Sequence, residues 1–255
     1  MGVTNTDERR GEIINCEKHG DFTVECLKIS ETRFITKDYC AKCIDEKDAI
    51  SAEKERLEKE QWIKDADERI RVNTRLNAGI SKRNLGKCFD DYLCDTTEQH
   101  SAKQKCMDYA DNFPTDKSLL MLGSVGTGKT LLACSILEKL VDDHNCQIIK
   151  LIDLVRHIKS TWNNNSDEDE YRVINHYVGL DLLIIDEVGA QFGSDTEKLF
   201  IFDIIDGRYQ DMKPTILVSN LDIGGVKEVI GDRCVDRLRE GGGSMIAFDW
   251  SSKRK

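Results

Sequence analysis

A glycine-rich segment sets the strongest constraint on what this chain of 255 residues can fold into. It matches the pattern G-x-x-x-x-G-K-[ST] at every fixed position, with the residues Gly123, Ser124, Val125, Gly126, Thr127, Gly128, Lys129 and Thr130. The apolar run 117–122 before it indicates a buried strand, and the apolar positions within 131–141 recur at helical spacing. A glycine-rich turn between a strand and a helix is the setting in which this pattern binds phosphate.

Each fixed position of this phosphate-binding loop has a physical role in holding a nucleoside triphosphate. The glycines let the backbone curl so that its N–H groups point at phosphate oxygens, and the N-terminus of the following helix adds partial positive charge. We expect Lys129 to reach the β- and γ-phosphates and the Thr130 hydroxyl to bind magnesium. The sequence therefore predicts a site for ATP and Mg²⁺, and an ordinary glycine-rich turn is the alternative.

Polar residues end two further apolar strands downstream of the loop. Asp186 and Glu187 follow the run 182–185, so we expect Asp186 to hold the magnesium ion and Glu187 to act on the attacking water as general base. Two solvated acids at a strand end are the alternative. Asn220 ends the run 214–220, and a buried amide there is costly without a hydrogen-bond partner. The γ-phosphate and the attacking water are the partners we expect, unless Asn220 only forms a turn.

Cysteine and histidine form two closely spaced pairs near the N-terminus. The pairs are Cys16 with His19 and Cys40 with Cys43. Two pairs with this spacing can complete the tetrahedral ligand set of a zinc ion, and Cys26 is a further thiol that could replace His19. Short strands at 22–26 and 33–37 suggest a zinc ribbon whose folding energy comes from the metal. We predict a structural zinc that serves recognition of a protein or of single-stranded nucleic acid; unmetallated cysteine is the alternative.

Length and composition favour one large domain with a small accessory module. We find no apolar run near the roughly 18 residues that span a bilayer, and the polar N-terminus does not resemble a signal peptide. The ten cysteines then favour reduced thiols and metal over disulfides, so we expect a cytoplasmic protein with no membrane partner. We predict three parts: a zinc-ribbon-like module at 1–44, a charged helical linker at 45–80, and an ATPase domain at 81–255.

Charge does not by itself identify a nucleic-acid binder. The formal net charge is −10, but a local basic stripe can act against a negative background. The segments 81–84 and 251–255 are basic, and solvated surface is the alternative for both. The linker helix has few apolar positions, so it is either a solvated spacer or a partner-binding helix.

Several segments together carry a family resemblance over about residues 76–255. They are GISKR at 79–83, CFDDY at 88–92, GDRCVDR at 231–237 and FDW at 248–250. With the loop, the two acids and Asn220, this set resembles the DnaC-type helicase loaders, a branch of the AAA+ ATPases close to DnaA and to the IstB transposition helpers. The resemblance implies an α/β fold, a three-layer sandwich around a parallel sheet, and makes Asn220 similar to the sensor 1 residue.

The resemblance also gives roles to three arginines. Arg237, with Arg233 one turn earlier, resembles the arginine finger that completes the site of a neighbouring subunit. Self-association would then stimulate hydrolysis, which would be slow in the isolated chain. Arg254 looks like the sensor 2 arginine, and a surface salt bridge is the alternative for each. The zinc ribbon departs from the best-known loaders and is similar to loader-like proteins of phages and mobile elements.

Three functions are compatible with these residues. The resemblance favours an ATP-dependent replication protein that loads a hexameric replicative helicase onto single-stranded DNA. An IstB-type transposition helper that binds duplex DNA and a transposase is the second hypothesis. A non-enzymatic adaptor, in which the ribbon and helix carry the function and nucleotide only stabilises the fold, is the third.

Overall fold

A computed structural model describes residues 11–30, 33–37, 39–163, 169–189 and 194–253, and for 26–30 and 33–37 it describes the backbone alone. The chain divides into two compact units, Met1–Glu68 and Arg69–Lys255. The division falls inside a long helix, while the three parts expected from the sequence, with boundaries at 44 and 80, stay a prediction.

The first unit contains two β-hairpins among its described residues. Strand β1 (Ile13–Cys16) pairs antiparallel with β2 (Gly20–Thr23), and β3 (Glu25–Ser30) pairs antiparallel with β4 (Arg33–Lys37). The turn between β1 and β2 is closed by the His19 N–H, which donates to the Cys16 carbonyl at 3.2 Å. The sequence suggested strands only near 22–26 and 33–37, because β1 has a short, half-exposed pattern.

Helix α1 (Ala41–Asn77) follows the hairpins. Ion pairs along its exposed surface support it, such as Arg56 with Glu53 at 2.6 Å. The helix ends at Asn77. Gly79 lies just beyond it with a φ of +86°, which suits glycine, and a Cβ there would lie 2.0 Å from the Ile148 carbonyl oxygen. The predicted linker helix is therefore present, although it begins and ends earlier than 45–80.

The second unit is built on a parallel sheet. Among the described residues its five strands are β5 (Leu119–Gly123), β6 (Cys146–Lys150), β7 (Leu182–Val188), β8 (Thr215–Ser219) and β9 (Ser244–Phe248). The order across the sheet is β6-β7-β8-β5-β9, and all neighbours run parallel. The apolar runs of β5, β7 and β8 are buried because helices cover both faces of such a sheet.

Helices pack on the two faces of the sheet in separate apolar clusters. They are α2 (Thr97–Asp111), α3 (Lys129–Leu140), α4 (Leu151–Ser160), α5 (Glu170–Gly179), α6 (Asp195–Gln210), α7 (Ile223–Ile230) and α8 (Asp232–Arg239). One cluster joins the sheet to α2 and α3, and the other joins it to α4 through α8. The predicted three-layer α/β sandwich with a parallel sheet is confirmed.

Within the described residues, no helix is long and apolar enough to cross a bilayer.

One fully buried arginine holds three elements of this unit together. Arg208 of α6 donates to the carbonyl oxygens of Tyr177, Val178 and Leu180 at the end of α5, at 2.8, 3.2 and 2.7 Å. It also donates to the Pro214 carbonyl and, at 2.9 Å, to the Thr215 hydroxyl where β8 begins. Burial lowers the pKa of Arg208 to about 10, so the side chain stays charged at neutral pH.

Replacement of Arg208 by methionine should lower the free energy of unfolding by roughly 3–5 kcal/mol, because buried carbonyls would lose a charged donor. Arg172→Met is the matched control, since Arg172 is exposed and, among the described residues, its ion pair is the surface pair with Asp169. Urea unfolding followed by circular dichroism measures both. Equal midpoints for the two variants would contradict the role given to Arg208.

Candidate nucleotide-binding site

A cavity of about 410 Å³ opens where β5, β7 and β8 end. Parallel strands all end at one edge of a sheet, and this edge is where α/β folds bind ligands. The lining residues that were predicted as site residues are Val125, Gly126, Gly128, Lys129, Thr130, Asp186, Glu187 and Asn220. The polar lining residues that were not predicted as site residues are Ser81, Arg83, Asn84, Lys87, Lys150, Ser219 and Lys253.

The loop itself holds the lysine that should meet phosphate. Lys129 is 5% exposed, and its Nζ donates to the carbonyl oxygens of Gly123 at 2.9 Å and Ser124 at 2.6 Å. Its Nζ also lies 3.4 Å from the Thr127 hydroxyl, which in turn donates to the Ser124 carbonyl. The positive charge is therefore fixed inside the loop, where a phosphate oxygen can replace a carbonyl as its partner.

Aromatic side chains from outside the motif hold the loop from its other side. The Tyr92 hydroxyl and the Trp250 Nε1 both donate to the Thr127 carbonyl, at 3.0 and 3.3 Å. The Lys253 N–H donates to the Gly126 carbonyl at 2.9 Å. With these carbonyls turned toward residues 92 and 250–253, the loop can direct N–H groups toward an anion.

The two predicted magnesium ligands lie within hydrogen-bond distance of each other. The Thr130 hydroxyl donates to Asp186 Oδ2 at 3.0 Å, and the Glu187 N–H donates to Asp186 Oδ1 at 2.8 Å. Asp186 is 5% exposed, and its burial raises the pKa of the carboxyl group. A hydroxyl and a carboxylate at the wall of a phosphate-sized cavity are the oxygen ligands that Mg²⁺ prefers, so these residues fit that ion.

Glu187 adopts an unusual backbone conformation at the end of β7. Its φ is +54°, which is uncommon for a residue with a side chain and is found at sites where function tolerates strain. Its Oε2 lies 2.9 Å from Lys150 Nζ, and this hydrogen bond raises the pKa of Lys150. The sequence analysis did not single out Lys150, because only the pairing of β6 with β7 brings it beside the acid.

Asn220 is exposed at the end of β8 and lines the cavity. The neighbouring Ser219 hydroxyl fixes the strand end, since it donates to the Val188 carbonyl at 2.5 Å and accepts from the Leu221 N–H at 3.0 Å. The strand β8 lies between β5 and β7. The amide therefore lies between the loop and the two acids.

The predicted finger arginines lie outside this cavity. Arg237 on α8 pairs with Asp206 at 2.9 Å and with Glu240 at 3.2 Å, and its guanidinium lies 4.4 Å from the centre of the Tyr209 ring. Arg233 is exposed and forms no ion pair with any residue that the structure describes. Neither arginine lines the nucleotide cavity of its own chain. Arg254 lies outside the described residues.

A second candidate site in the first unit brings together four side chains predicted to bind metal. The ligand atoms of Cys16, His19, Cys40 and Cys43 all lie within 4.8 Å of one another. His19 Nδ1 is 3.2 Å from the Cys43 sulfur and 3.6 Å from the Cys40 sulfur, and the sulfurs of Cys16 and Cys43 are 3.5 Å apart. Zinc bond lengths imply S···S and N···S separations of about 3.8 and 3.5 Å in a tetrahedron, so the set fits Zn²⁺.

Hydrogen bonds from neighbouring groups shift the pKa values of the cysteines in this cluster and orient its histidine. The backbone N–H groups of Lys18 and His19 lower the pKa of Cys16 to about 6, which favours the thiolate that zinc binds, whereas the hydrogen bond with Cys16 raises the pKa of Cys43 to about 11. His19 Nε2 lies 2.9 Å from Glu46 Oε1, so Nδ1 is the nitrogen turned toward the three sulfurs. The side chain of Cys26 lies outside the described residues.

Comparisons with known proteins bear on the nucleotide-binding unit. A sequence profile described as IstB-like ATP binding protein matches residues 27–238, which is most of the chain. The chain belongs to this family of IstB-like ATP-binding proteins. The match confirms the AAA+ ATP-binding resemblance drawn from the loop, the acids and the segments around them.

Individual relatives of this chain carry a more specific description. The replicative helicase loader DnaC of Buchnera aphidicola subsp. Baizongia pistaciae is 35% identical over 180 residues, which cover 70% of this chain and 73% of the relative. DnaC of Buchnera aphidicola subsp. Acyrthosiphon pisum is 30% identical over 209 residues, covering 81% and 85%. A crystal structure of the DnaC helicase loader matches with a TM-score of 0.59 and 22% identity over 66% of this chain and 100% of that one, which shows a shared fold.

Zinc content tests the metal cluster of this IstB-like protein. Cys40→Ser should remove the roughly one zinc ion per chain expected in the wild type, because three remaining ligands hold zinc far more weakly. Metal analysis of purified protein measures this, and Cys88→Ser, which alters an exposed cysteine outside the cluster, should keep its zinc. His19→Ala and Cys26→Ser separate the two alternative fourth ligands. Wild-type protein that takes up no zinc would contradict the site.

Proposed function

We propose that this protein is an ATPase that loads a hexameric replicative helicase onto single-stranded DNA in the cytoplasm. The observation that carries the proposal is the arrangement of the loop, Asp186, Glu187 and Asn220 around one cavity in a chain whose relatives are named replicative helicase loaders. The residues around the cavity support binding and hydrolysis of ATP. The names of the relatives support a replicative helicase as the partner.

Each predicted residue in the cavity would have its own role in ATP hydrolysis. Lys129 and the loop N–H groups would bind the β- and γ-phosphates, and Thr130 and Asp186 would hold Mg²⁺, which supplies charge neutralisation when bound. Glu187 would accept a proton from the attacking water, and Asn220 would orient that water. The ion pair between Glu187 Oε2 and Lys150 at 2.9 Å competes with the attacking water for the carboxylate, which favours slow turnover in the isolated chain.

Arg237 and Arg233 would complete the site of a neighbouring copy. Their position outside their own cavity supports action in trans, since an arginine must reach the γ-phosphate to stabilise transition-state charge. Hydrolysis would then depend on assembly on the helicase or on DNA. Arg254 keeps its proposed role as a sensor 2 residue.

The first unit would recognise the partner. Structural zinc held by Cys16, His19, Cys40 and Cys43 would fix the hairpins, and α1 exposes large apolar side chains that a protein partner can bury. These side chains are Ile50, Leu57, Trp62, Ile63 and Ile70. Exposed apolar side chains of this size support a protein partner, because burial of apolar surface favours protein association.

The matching family description favours one second candidate function. IstB-like proteins give the family its name, so a transposition helper that binds duplex DNA and a transposase remains the competing proposal. It differs from the loader in its substrate, duplex rather than single-stranded DNA, and in its partner.

The loader function predicts a nucleotide-sensitive complex with the replicative helicase of the same organism. Size-exclusion chromatography with light scattering should show the complex for the wild type with ATP and for the control Lys105→Ala, an exposed lysine of α2. Lys129→Ala should lose the ATP-dependent part of binding, because it lacks the phosphate-binding charge. A complex and biological activity unaffected by Lys129→Ala would favour the adaptor, and ATP-dependent assembly on duplex DNA without helicase binding would favour the transposition helper.

Mixing variants tests the finger in trans. Arg237→Ala should bind ATP normally but lose stimulated hydrolysis by at least about 100-fold, whereas Arg239→Ala, an exposed residue of the same helix, should behave as wild type. Lys129→Ala is also expected to be inactive, yet a mixture of Lys129→Ala and Arg237→Ala should regain activity, because each supplies the group that the other lacks. A mixture that stays inactive would contradict the assignment.

A further inference from the structure

A partly buried cluster of charges connects the end of helix α1 to the helix that begins at the phosphate-binding loop. The Arg75 side chain is 4% exposed and lies in the last turn of α1. Its Nε donates to Glu138 Oε2 at 2.6 Å, and its two Nη atoms donate to both carboxylate oxygens of Asp142 at 2.8 Å. Glu138 lies on α3, whose first residue is Lys129, and Asp142 lies just beyond the end of α3. Arg75 therefore joins the last turn of α1 to α3, the helix whose first residue is the Lys129 of the phosphate-binding loop.

The second oxygen of Glu138 has a different partner. Glu138 Oε1 accepts a hydrogen bond from the Gly86 N–H at 2.9 Å, and the Glu138 side chain is 10% exposed. Gly86 has a φ of +71°, so its N–H is presented by a turn that glycine favours. One carboxylate thus bonds the last turn of α1 and a loop at the same time. Among the residues that the structure describes, Asp142 bonds Arg75 and forms no hydrogen bond or ion pair with this loop.

The loop in question, residues 81–87, forms one wall of the nucleotide cavity. Ser81, Arg83, Asn84 and Lys87 line the cavity, and two of them are cationic. The loop begins where the Ile80 N–H donates to the Arg75 carbonyl at 3.0 Å. Its middle is held by Asn84 Nδ2, which lies 3.5 Å from the Cys134 sulfur on α3. Glu138 supplies the hydrogen bond that holds its end.

We propose that Glu138 is a positioning residue for nucleotide binding, that it places the 81–87 loop against the bound ATP, and that Arg75 holds its carboxylate in place. The proposal rests on the ATP binding of the proposed function and is independent of the helicase. It adds a link between α1 and the cavity: a partner that displaces the last turn of α1 moves Arg75, releases Glu138 and weakens the wall of the ATP site. By thermodynamic linkage, ATP must in turn stabilise the last turn of α1.

A purely structural salt bridge makes a different prediction from a positioning residue. Loss of stability reduces the fraction of molecules that can bind, whereas loss of positioning changes the dissociation constant of the folded molecules. The titration of a labelled ATP analogue separates the two quantities, since stoichiometry reports the first and Kd the second. Glu138→Ala and Asp142→Ala form a matched pair, because each removes one carboxylate from Arg75 and only Glu138 contacts the loop.

The expected result is a difference between these two variants in nucleotide affinity. Glu138→Ala should raise Kd about tenfold at unchanged stoichiometry, the effect of one lost hydrogen bond to a charged acceptor. Asp142→Ala should raise Kd by no more than about twofold, and Glu138→Gln, which keeps an oxygen for the Gly86 N–H, should recover most of the affinity. Equal Kd values for wild type and Glu138→Ala, or equal losses for Glu138→Ala and Asp142→Ala, would overturn the proposal.

Hydrogen exchange tests the reciprocal direction in the full chain. ATP should slow exchange of the amides of residues 74–80 in the wild type, and this protection should be lost in Glu138→Ala at ATP concentrations that saturate both proteins. Protection that persists in the variant would overturn the link between α1 and the cavity. Wild-type protein that binds no nucleotide would overturn the proposed function itself. Wild-type protein that binds ATP, with an unaltered Kd in Glu138→Ala, would overturn the role of Glu138 alone.

Discussion

The parallel direction of the strands is the constraint on which the nucleotide site depends. Because β5, β7 and β8 all run the same way, the loop, the two acids and Asn220 meet at one edge of the sheet. The order of the strands then decides how far apart these site residues lie, since β8, which ends just before Asn220, lies between β5 and β7. The bond from Thr130 to Asp186 closes this arrangement at 3.0 Å by joining the first turn of α3 to β7.

Parts of the chain far from the motif make the loop a stable binding surface. Residues on both sides of the sheet-forming region, Tyr92 before it and Trp250 after it, donate to one carbonyl of the loop. Close packing adds to this, because a Cβ on Gly128 would lie 2.4 Å from the Tyr92 ring. Glycine is therefore required at this position for two reasons: its φ is +93°, and a side chain would collide with the Tyr92 ring. The phosphate-binding motif explains the positive φ but not the packing against Tyr92.

The sequence predicts those parts of the site that depend on local pattern. The loop follows β5 and Asn220 follows β8, as apolar runs and glycine spacing predict, whereas Asp186 lies inside β7, which continues to Val188 instead of ending at residue 185. Arg83 and Lys87 could not be placed this way. The segment 81–84 has the composition of a solvated basic surface, and only tertiary contacts such as Glu138 with Gly86 turn it toward the cavity. Lys150 was missed for the same reason, since strand pairing brings it to Glu187.

Local charge explains how an acidic protein can bind an anionic nucleotide. The charged lining residues are five cations, Arg83, Lys87, Lys129, Lys150 and Lys253, and two anions, Asp186 and Glu187. The cavity therefore has an excess of positive charge inside a chain whose formal net charge is −10, and low-dielectric walls concentrate its field. A triphosphate matches this excess of positive charge, whereas a DNA strand is too long for a cavity of about 410 Å³. Contact with single-stranded DNA is therefore expected to depend on assembled copies or on a partner, as hydrolysis would under the proposed action of Arg237 in trans.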